Sequence, residues 1–580
     1  MSSIEPPLTK NALVVLKRRY LRKDTKGTII ETPGMMIERV ADNISSVDYL
    51  YGDRDADKEK SEFVQAMRTL RFLPNSPTLM NAGTSIQQLA ACFVIPVEDS
   101  IEGIFNAVKW AAIVHQSGGG TGFSFSRLRP RGDIVASTSG AASGPLSFMK
   151  VFDIATEAVR QGGRRRGASM GVLRVDHPDI MEFIHSKDDK RTLSNFNISV
   201  GITDEFMDAL TRGDHFILRN PRDGSAVGEV EAVRIFEEMC SSSWASGDPG
   251  VLFLDTIERS NPTPNVGTIE ATNPCGEVPL LPFEACNLGS IDLVKMYDRN
   301  KGDMDWDLFK DTISLGIRFL DNVIDASKYP LDQITSMVKG NRKIGLGVMG
   351  FADLLLLQGV RYGSRSSFDI AGKLMDFMRS VADEESRSIA SSRGPFPNIE
   401  GSKVDPSRRN ATLLSIAPTG TISIIAGCSS GIEPNYSFYL ERRVLDGEIL
   451  VETNPILLEM LDLEKVETDR VIKELSKGVP LKEISTVPEY IKEVFVTAHE
   501  IDPLLQVDMQ AKFQEQVDNA VSKTINLPMS ATPDEIGKIM IHAFKKKCKG
   551  ITVYREGSKP GQVLSLGTGK VECFTCGKLG

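Results

Sequence analysis

The 580-residue sequence predicts an α/β protein in which helices cover parallel strands. Two observations support this fold class. Segments with apolar residues at helical spacing alternate with short apolar runs that are typical of buried strands. The composition, with 41% apolar and 25% charged residues, is that of a globular protein that buries a large core. The sequence has no internal repeat that would indicate a solenoid.

The predicted elements begin with an N-terminal helical region. Charged and apolar residues mix at helical spacing in segments 10–22 and 58–70, and a Pro-Asn-Ser-Pro cluster at 74–77 ends this region. The alternating part of the chain follows. Its predicted helices lie at 101–114, 147–160 and 309–324, and its predicted strands at 123–125, 197–200, 251–254 and 412–416.

Two later segments differ in composition from the alternating part. Segment 441–498 is rich in charges and helix formers, so it predicts a helical insertion, in which we expect no functional residues. Beyond Tyr554 the chain is rich in Gly, Ser and Lys, a composition that disfavours a packed core. We therefore predict a flexible tail over residues 557–580.

The charge and the N-terminus limit the partners and the compartment. The net charge of -9 and the pI near 5.5 argue against a nucleic-acid partner, although a local phosphate pocket is compatible with them. Residues 1–7 lack the basic flank and apolar run of a signal peptide, and no run approaches the ~18 apolar residues of a membrane span. We expect a cytoplasmic protein without a membrane partner.

The chain has eight cysteines, which are too few for a disulfide scaffold at this length. Only Cys573 and Cys576 form a C-x-x-C pair, and one such pair cannot make a four-ligand zinc site by itself. The pair is either a redox dithiol or half of an intermolecular or truncated metal site. We predict no metal site within the chain itself.

The segment Asn-Pro-Cys-Gly-Glu at 273–277 carries the most informative chemistry. If it is extended, the two-residue period places Asn273, Cys275 and Glu277 on one face. An amide, a sulfur and a carboxylate together could hold a substrate hydroxyl, supply a reactive sulfur and move a proton. A Pro/Gly loop with a packed cysteine and a surface glutamate explains the spacing equally well.

The Asn-x-Cys-x-Glu segment resembles the finger loop of ribonucleotide reductases, and the wider match is with the adenosylcobalamin-dependent members. Further blocks resemble the family in family order, at 73–83, 91–94, 118–123, 162–168, 417–423, 522–528 and 550–555. The resemblance implies a ten-stranded α/β barrel of two five-stranded parallel halves, with Cys275 on a central finger loop. It divides the chain into an N-terminal helical region at 1–70, a barrel at 71–556 and a redox tail at 557–580.

The resemblance also implies the role of each residue in the finger loop. Cys275 becomes the thiyl radical that abstracts the substrate 3′-hydrogen, Glu277 takes the 3′-hydroxyl proton and Asn273 positions the reacting hydroxyls. Cys92 and Cys286 supply the reducing equivalents and end as a disulfide. Reopening that disulfide needs thiol exchange, for which a mobile arm with Cys573 and Cys576 is a suitable shuttle to a thioredoxin- or glutaredoxin-like reductant.

The segment 418–423 combines a turn, small residues and hydroxyls, so its backbone N–H groups and side chains could surround a phosphate. The resemblance makes it the substrate-phosphate loop, formed by Pro418, Thr419, Gly420, Thr421, Ile422 and Ser423. Thr78, Ala91 and Gly120 assist it. The family often has Ser at the position of Ala91, which puts one hydroxyl contact in doubt.

Three adjacent arginines at 164–166 would by themselves indicate a solvated basic turn. In the family the loop at 160–168 connects an allosteric nucleotide to the substrate base, so Gln161 and Arg165 are candidates to read it. Asp99 and Arg129 match positions that hold a deoxyribonucleoside triphosphate effector at a homodimer interface. Arg129 suits the phosphate and Asp99 a sugar hydroxyl.

The radical source follows from two absences in the sequence and from the family match. The iron- or manganese-dependent class has adjacent tyrosines near its C-terminus, whereas Tyr554 here follows Val553. The final residues do not resemble the Arg-x-x-Gly-Tyr tail of the glycyl-radical class. Adenosylcobalamin is therefore the expected cofactor, although the sequence lacks an Asp-x-His-x-x-Gly cobalamin motif. The chain leaves no room before the barrel for an ATP-cone, so we expect specificity control without an on/off switch.

The predicted activity is the reduction of ribonucleoside diphosphates. Three other functions are compatible with parts of the sequence. The chain could be a large subunit that needs a separate radical-generating subunit, or a non-catalytic nucleotide-binding regulator. The G-x-G-x-x-G pattern at 345–350 could indicate a dinucleotide-dependent dehydrogenase. However, the polar segment 339–343 lies where that motif needs a buried strand, and we interpret the glycines as sites of close helix packing.

Overall fold

The computed structural model describes residues 5–52, 56–135, 139–159, 167–189, 191–443 and 449–559. Nine of the strands in these residues form the wall of a barrel. In chain order they are β1 (Cys92–Val94), β2 (Gly120–Ser124), β3 (Ser169–Arg174), β4 (Phe196–Ile202), β5 (Gly250–Phe253), β6 (Ala285–Asp292), β7 (Ile344–Met349), β8 (Thr524–Leu527) and β9 (Gly550–Arg555). Every residue of β1, β2, β5, β6 and β7 is buried, as expected for parallel strands that are covered on both faces.

The strands form two parallel halves. Strands β1 to β5 pair in chain order. In the second half β6 pairs with β7, and β7 then bridges the extended segment 412–416. That segment bridges Val521 just before β8, and β8 pairs with β9. Antiparallel contacts of β1 with β6 and of β5 with β9 close the ring. The predicted ten-stranded barrel of two five-stranded halves is confirmed, with segment 412–416 as the tenth member.

Gly345 and Gly347 of the G-x-G-x-x-G pattern lie inside β7, and Gly350 directly follows this strand. A Cβ atom at Gly347 would lie 2.2 Å from the carbonyl oxygen of Ser415, so glycine is needed for the close approach of β7 to segment 412–416. The first two glycines thus serve contact between strands, and the prediction of helix packing at these positions was wrong. A dinucleotide motif requires its first glycines in the turn after a strand, whereas Gly345 and Gly347 lie within one.

Helices surround the barrel and connect its strands. The α-helices are Lys10–Val15, Pro33–Ser45, Ala56–Arg68, Ser76–Asn81, Ile101–Gln116, Pro145–Ala158, Ile180–Ile184, Asp204–Arg212, Ala232–Ser246, Leu254–Arg259, Trp306–Ala326, Asp332–Asn341, Phe351–Leu357, Arg365–Arg393, Ile422–Ala426, Pro455–Leu463, Thr468–Ser476, Glu489–Val494, Pro503–Gln514 and Pro533–Lys545. A π-helical turn, Leu16–Tyr20, and a 3₁₀ helix, Ser46–Tyr51, extend two of the N-terminal helices. The three helices predicted in the alternating part are all present.

Outside the barrel wall there are several small strands. Phe72–Pro74 adds to β6 in antiparallel register. The two-stranded hairpins are Ile134–Val135 with Gly140–Ala141, His215–Arg219 with Ala226–Glu231, Ala271–Thr272 with Pro279–Leu280, Tyr297–Asp298 with Asp303–Met304, and Tyr439–Arg443 with Ile449–Thr453. The cluster at 74–77 is followed by one more short helix, Ser76–Asn81, which the Asn75 side chain caps.

The insertion at 441–498 has its own small apolar core. Its helices Pro455–Leu463, Thr468–Ser476 and Glu489–Val494 bury Leu457, Val471 and Ile491 completely. The hairpin Tyr439–Arg443 with Ile449–Thr453 precedes these helices, so the segment is not purely helical as predicted. No helix in the described ranges is both long and apolar enough to cross a membrane.

Candidate active site

A cavity of about 1280 Å³ lies inside the barrel, and a hairpin projects into it. The strands Ala271–Thr272 and Pro279–Leu280 form this hairpin, which we call the finger hairpin. It passes so close to β2 that a Cβ atom at Gly122 would lie 1.8 Å from the carbonyl oxygen of Thr272. Glycine at this position is therefore a requirement for placing the hairpin in the barrel.

Both halves of the barrel hold the finger hairpin. The Asn197 amide on β4 donates to the carbonyl oxygen of Pro274 over 2.9 Å. From the second half, the Ser415 hydroxyl and the Ala520 N–H donate to the carbonyl oxygen of Glu277 over 2.9 and 2.8 Å. These three bonds fix the tip of the hairpin between the two halves.

The tip of the hairpin is a turn, not an extended strand. The Gly276 N–H donates to the carbonyl oxygen of Asn273 over 3.1 Å, and Gly276 has φ +80°, a left-handed conformation that favours glycine. The prediction that a two-residue period aligns Asn273, Cys275 and Glu277 was therefore wrong in its geometry. The turn instead leaves Cys275 exposed at the tip, where it lines the cavity, and brings Asn273 beside Glu277.

Asn273 connects the finger hairpin to β1. Its side-chain amide donates to the Glu277 carboxylate over 2.7 Å and to the sulfur of Cys92 over 3.2 Å. Its amide oxygen accepts from the N–H of Val278 over 3.0 Å, which fixes the orientation of the amide group. Asn273 and Glu277 are both buried, at 2% and 3% exposure, yet both line the cavity. The structure thus brings three of the predicted catalytic residues into direct contact.

Cys92 and Cys286 lie opposite each other in the antiparallel register of β1 and β6. Opposed residues place their side chains on one face, with Cα atoms about 4.5–5.5 Å apart, which is inside the range of about 4.4–6.8 Å that a disulfide spans. Both are free thiols in the structure. Cys92 lines the cavity, while Cys286 lies behind it and burial raises the pKa of its thiol well above the ordinary value.

All six residues of the predicted phosphate loop line the cavity: Pro418, Thr419, Gly420, Thr421, Ile422 and Ser423. Thr419 has φ 51°, and its hydroxyl accepts from the N–H of Gly431 over 2.7 Å, which holds the turn. Ala91 and Gly120 also line the cavity. Thr78 does not, because its fully buried hydroxyl donates to the side chain of Asn75 over 2.8 Å behind the cavity wall.

Two polar residues that the sequence did not single out also line the cavity, Asn75 and Ser290. Both are buried, and the Asn75 amide nitrogen and the Ser290 hydroxyl have no hydrogen-bond partner within the described residues. Buried polar atoms are normally bonded, so unpaired donors in a cavity wall are suited to a ligand. Asn75 lies inside the block at 73–83 that resembles the family, and Ser290 follows Cys286 by four residues, and these positions were the signal that the sequence offered.

The insertion contributes to the wall as well. Val451, Glu452, Thr453 and Asn454 line the cavity, so part of this segment faces the site, whereas its lack of functional residues stays a prediction. The Asn454 amide donates to the buried carboxylate of Asp353 over 3.0 Å. Hydrophobic and charged patterns along the segment indicated its helices but could not indicate which residues face the barrel.

Two of the predicted effector residues, Asp99 and Arg129, lie outside the cavity. Asp99 and Arg129 form an ion pair over 2.9 Å at the start of the helix Ile101–Gln116, and the Arg129 N–H donates to the same carboxylate over 3.1 Å. The structure therefore brings this pair together. Gln161, Arg165, Cys573 and Cys576 lie outside the described residues.

Comparison with known proteins finds ribonucleotide reductases. The family model for the ribonucleotide reductase barrel domain matches residues 90–408 and 404–554, and the model for the ribonucleotide reductase all-alpha domain matches residues 7–87. The chain is 46% identical to a vitamin B12-dependent ribonucleoside-diphosphate reductase of Thermoplasma acidophilum, over 97% of this chain and 81% of that protein. A protein of the same description from Mycobacterium tuberculosis is 45% identical over the same shares.

A solved structure shares the fold. The class Id ribonucleotide reductase alpha subunit of Actinobacillus ureae superposes with a TM-score of 0.78 at 23% identity, over 95% of this chain and 97% of that chain. At this identity the likeness concerns the fold alone. Together with the two family models, which span most of the sequence, the matches establish that the chain belongs to the ribonucleotide reductase family.

Proposed function

We propose that this reductase converts ribonucleoside diphosphates to 2′-deoxyribonucleoside diphosphates by thiyl-radical chemistry at Cys275. The observation that carries the proposal is the meeting of an exposed thiol, an amide and carboxylate pair and the Cys92 thiol at one cavity, with Cys286 directly behind Cys92. The names of the two relatives at 45–46% identity support the choice of diphosphates.

The roles follow from where the groups lie. The Cys275 sulfur, as a thiyl radical, abstracts the 3′-hydrogen of the ribose. Glu277 takes the 3′-hydroxyl proton, and the Asn273 amide keeps the carboxylate in place through its 2.7 Å bond. The 2′-hydroxyl leaves as water, and the two electrons and two protons that this reduction needs come from the thiols of Cys92 and Cys286. Those two sulfurs then form a disulfide.

Several groups are placed to hold the substrate phosphates. The loop 418–423 lines the cavity, and its turn and the hydroxyl of Thr421 are suited to a phosphate. Ser290 and Asn75 offer two buried donors without partners in the described residues. Ala91 and Gly120 supply backbone close to Cys92. We propose Thr78 as a supporting residue, which orients Asn75 through their 2.8 Å bond.

The cavity has room for the expected cofactor. Its volume of about 1280 Å³ exceeds that of most small-molecule sites, which are roughly 300–1,000 Å³. Lys187 and Asn195, which precede β4, and Thr552 on β9 line the same cavity. These residues would hold adenosylcobalamin, which the names of both relatives suggest. When bound, it supplies the radical through homolysis of its carbon–cobalt bond.

We further propose a homodimer with a deoxyribonucleoside triphosphate effector. Ile101, Phe105 and Ile154 are 65%, 50% and 70% exposed on two helices that contact each other, Ile101–Gln116 and Pro145–Ala158. Exposed apolar residues that cluster in this way are typical of a protein interface. Asp99 and Arg129 lie at the beginning of the first helix and would bind the effector. Gln161 and Arg165 would relay its identity to the substrate base.

Cys573 and Cys576 reduce the disulfide between Cys92 and Cys286 and become oxidised. A thioredoxin- or glutaredoxin-like reductant in the cytoplasm then reduces Cys573 and Cys576 again. The chain divides into an N-terminal helical region at 1–70, the barrel at 71–556 with its insertion at 441–498, and the tail at 557–580.

The test is anaerobic incubation of the purified chain with CDP or GDP, a dithiol and adenosylcobalamin, with deoxynucleotide formation measured. We expect turnover that requires the cofactor and is abolished in Cys275→Ala. Cys240→Ala is the matched control, because Cys240 is a buried cysteine that packs near Gly537 outside the cavity. Reduction of triphosphates only would overturn the substrate assignment.

A second candidate is a large subunit that receives its radical from a separate subunit. The observation that favours it is that Tyr436 and Tyr554 both line the cavity, where tyrosines could relay an electron. Turnover that appears only after a radical-generating subunit is added, and that is lost in Tyr554→Phe, would support this candidate. Cofactor-dependent turnover of the single chain would exclude it.

A further inference from the structure

Cys92 and Cys286 lie on the neighbouring strands β1 and β6, and Lys343 directly precedes the next strand, β7. Cys92 is opposite Cys286 in the register of β1 and β6. The parallel ladder of β6 and β7 begins with Asn287 beside Ile344, so one residue earlier Lys343 stands beside Cys286. Residues in register share a face of the sheet. Of the three, Cys92 lines the cavity. The Cys286 thiol follows behind it, and the Lys343 ammonium lies beyond Cys286 in the core.

A buried ion pair holds Lys343 in this position. Its ammonium donates to the Glu284 carboxylate over 2.7 Å, with both side chains no more than 2% exposed. Glu284 also accepts from the N–H of Leu281 over 2.6 Å and from the side-chain amide of Asn341. Leu281 directly follows the return strand of the finger hairpin. The Glu284–Lys343 pair therefore connects the finger hairpin, the beginning of β6 and the beginning of β7.

The charges around Cys286 make a thiolate there costly. Burial, Glu284 and Glu277 raise the pKa of the Cys286 thiol, while Lys343 lowers it. The buried hydroxyl of Tyr329 also interacts electrostatically with Cys286 and is neutral at physiological pH. Lys343 is thus the cation among these groups that favours the thiolate. Its effect is strong because the site has a low dielectric constant.

We infer that the disulfide between Cys92 and Cys286 opens in one direction: a reducing thiolate attacks the Cys92 sulfur from the cavity, Cys286 leaves as the thiolate, and Lys343 is the positioning residue that stabilises it. This inference rests on the proposed function for the formation of that disulfide during turnover. It goes beyond it by assigning different roles to the two sulfurs and a role to Lys343.

A dithiol reduces the disulfide between Cys92 and Cys286 in two exchange steps. The first thiolate of a dithiol forms a bond to the Cys92 sulfur, and the bond between Cys92 and Cys286 breaks with both electrons going to Cys286. The second thiolate of the reductant then displaces Cys92 from the mixed disulfide. The dithiol is oxidised to a disulfide, and the two protons it loses end on Cys92 and Cys286.

The opposite direction is disfavoured by access. An attacking thiolate approaches along the extension of the disulfide bond, and for Cys286 that approach would start in the packed core, because Cys286 is only 1% exposed. Asn273 would stabilise a departing Cys92 thiolate through its 3.2 Å contact. Lys343 stabilises a departing Cys286 thiolate with a full charge, which its pairing with Glu284 partly offsets.

The first experiment locates the mixed disulfide without changing any of the three residues. The full-length chain with Cys573→Ser and Cys576→Ser is oxidised with diamide, treated briefly with 2-mercaptoethanol and quenched with N-ethylmaleimide. Peptide mass spectrometry then identifies the modified cysteines. We expect mercaptoethanol on Cys92 and maleimide on Cys286, in at least tenfold excess over the reverse. Adducts on Cys286, equal labelling, or no disulfide between the two cysteines would overturn the inference.

The second experiment tests Lys343 by opposite charge changes, with the rate of disulfide opening by 2-mercaptoethanol measured between pH 7 and 9. Lys343→Met should slow opening on the order of tenfold, because the leaving thiolate loses its cation. Glu284→Gln should accelerate disulfide opening, because the Lys343 charge is then no longer offset by a carboxylate. Lys343→Arg keeps the positive charge, so the rate of opening should stay within about threefold of the parent. If both Lys343→Met and Glu284→Gln slow opening equally, the pair is merely structural. Neither experiment needs ribonucleotide turnover, so its failure is distinct from failure of the proposed function.

Discussion

The Asn273 amide donates to the Glu277 carboxylate over 2.7 Å, and the turn between these residues carries Cys275 at its tip. The same amide contacts the sulfur of Cys92 over 3.2 Å. One side chain therefore connects the residue proposed to move a proton with one of the thiols proposed to supply electrons. These two hydrogen bonds fix the orientation of the amide relative to the carboxylate and the thiol.

Loss of the Glu277 charge should abolish most of the activity while leaving the fold intact. Glu277→Gln keeps the size of the side chain but removes the proton acceptor, so turnover should fall by about 10²- to 10⁴-fold. Deoxynucleotide formation measures the effect. Glu270→Gln is the control, because Glu270 lies near the base of the same hairpin and pairs with Arg127. A Glu277→Gln enzyme with more than a tenth of the parent activity would contradict the assignment.

Removal of the Ser290 hydroxyl should affect affinity and stability in opposite directions. This buried hydroxyl has no partner within the described residues, so Ser290→Ala should leave the free energy of unfolding unchanged or slightly higher. The KM for the diphosphate substrate should rise roughly 5- to 30-fold, which corresponds to about 1–2 kcal/mol.

The matched control for Ser290 is Ser243→Ala. The buried Ser243 hydroxyl donates to the carbonyl oxygen of Pro249 over 2.6 Å. Its loss should lower the free energy of unfolding by about 1 kcal/mol and leave KM unchanged. Steady-state kinetics and urea titrations measure both quantities. A destabilised Ser290→Ala protein with normal KM would show that the hydroxyl serves the fold.

Asp292 should make stability depend on pH. Burial raises the pKa of its carboxyl to about 7, above the ordinary value of 3.8. Between these values the folded chain binds the proton more tightly than the unfolded chain, so the contribution of Asp292 to stability falls as the pH rises from about 4 to 7. Each pKa unit corresponds to about 1.4 kcal/mol.

Asp292→Asn removes this dependence. The variant should gain stability relative to the parent by a few kcal/mol between pH 4 and 7, and the gain should then remain constant at higher pH. Urea titrations of both proteins at pH 5, 6, 7 and 8 measure the difference. A difference that is the same at all four values would contradict the raised pKa.

Asp48 should be essential for the docking of the N-terminal helices. It is fully buried, accepts from the Asn322 amide over 3.1 Å and pairs with Arg393. Asp48→Ala leaves the Arg393 cation buried without this partner and should cost about 3–5 kcal/mol in the free energy of unfolding. Asp42→Ala removes an exposed partner of Lys60 and should cost less than about 1 kcal/mol. Equal losses in urea titrations would refute the special role of Asp48.

Phe105 should be needed for the proposed dimer. Its ring is 50% exposed on the helix Ile101–Gln116, and Phe105→Asp would bury a charge in the interface. Sedimentation velocity should show a monomer, together with a weaker response to the effector. Ile217→Asp changes an apolar residue that is 39% exposed in the hairpin His215–Arg219 and should leave the dimer intact. A monomeric parent protein would refute the interface.

The local pattern of the sequence determined the fold class and three of the helices that surround the barrel, and it predicted the chemistry of the site. Periodicity and composition are properties of neighbouring residues, so they predicted the helices at 101–114, 147–160 and 309–324. The order of the blocks with family resemblance, including Asn-x-Cys-x-Glu at 273–277, predicted the barrel and the identity of the reacting residues.

Only the tertiary structure decided which distant residues meet. The turn at Gly276, rather than an extended strand, places Asn273 beside Glu277. The register of β1 and β6 pairs Cys92 with Cys286, and that of β6 and β7 brings Lys343 alongside. Strand register depends on packing between segments far apart in the chain, and a shift of one residue would turn each side chain to the opposite face. The sequence therefore predicted which groups react, and the closed barrel decided which of them lie together.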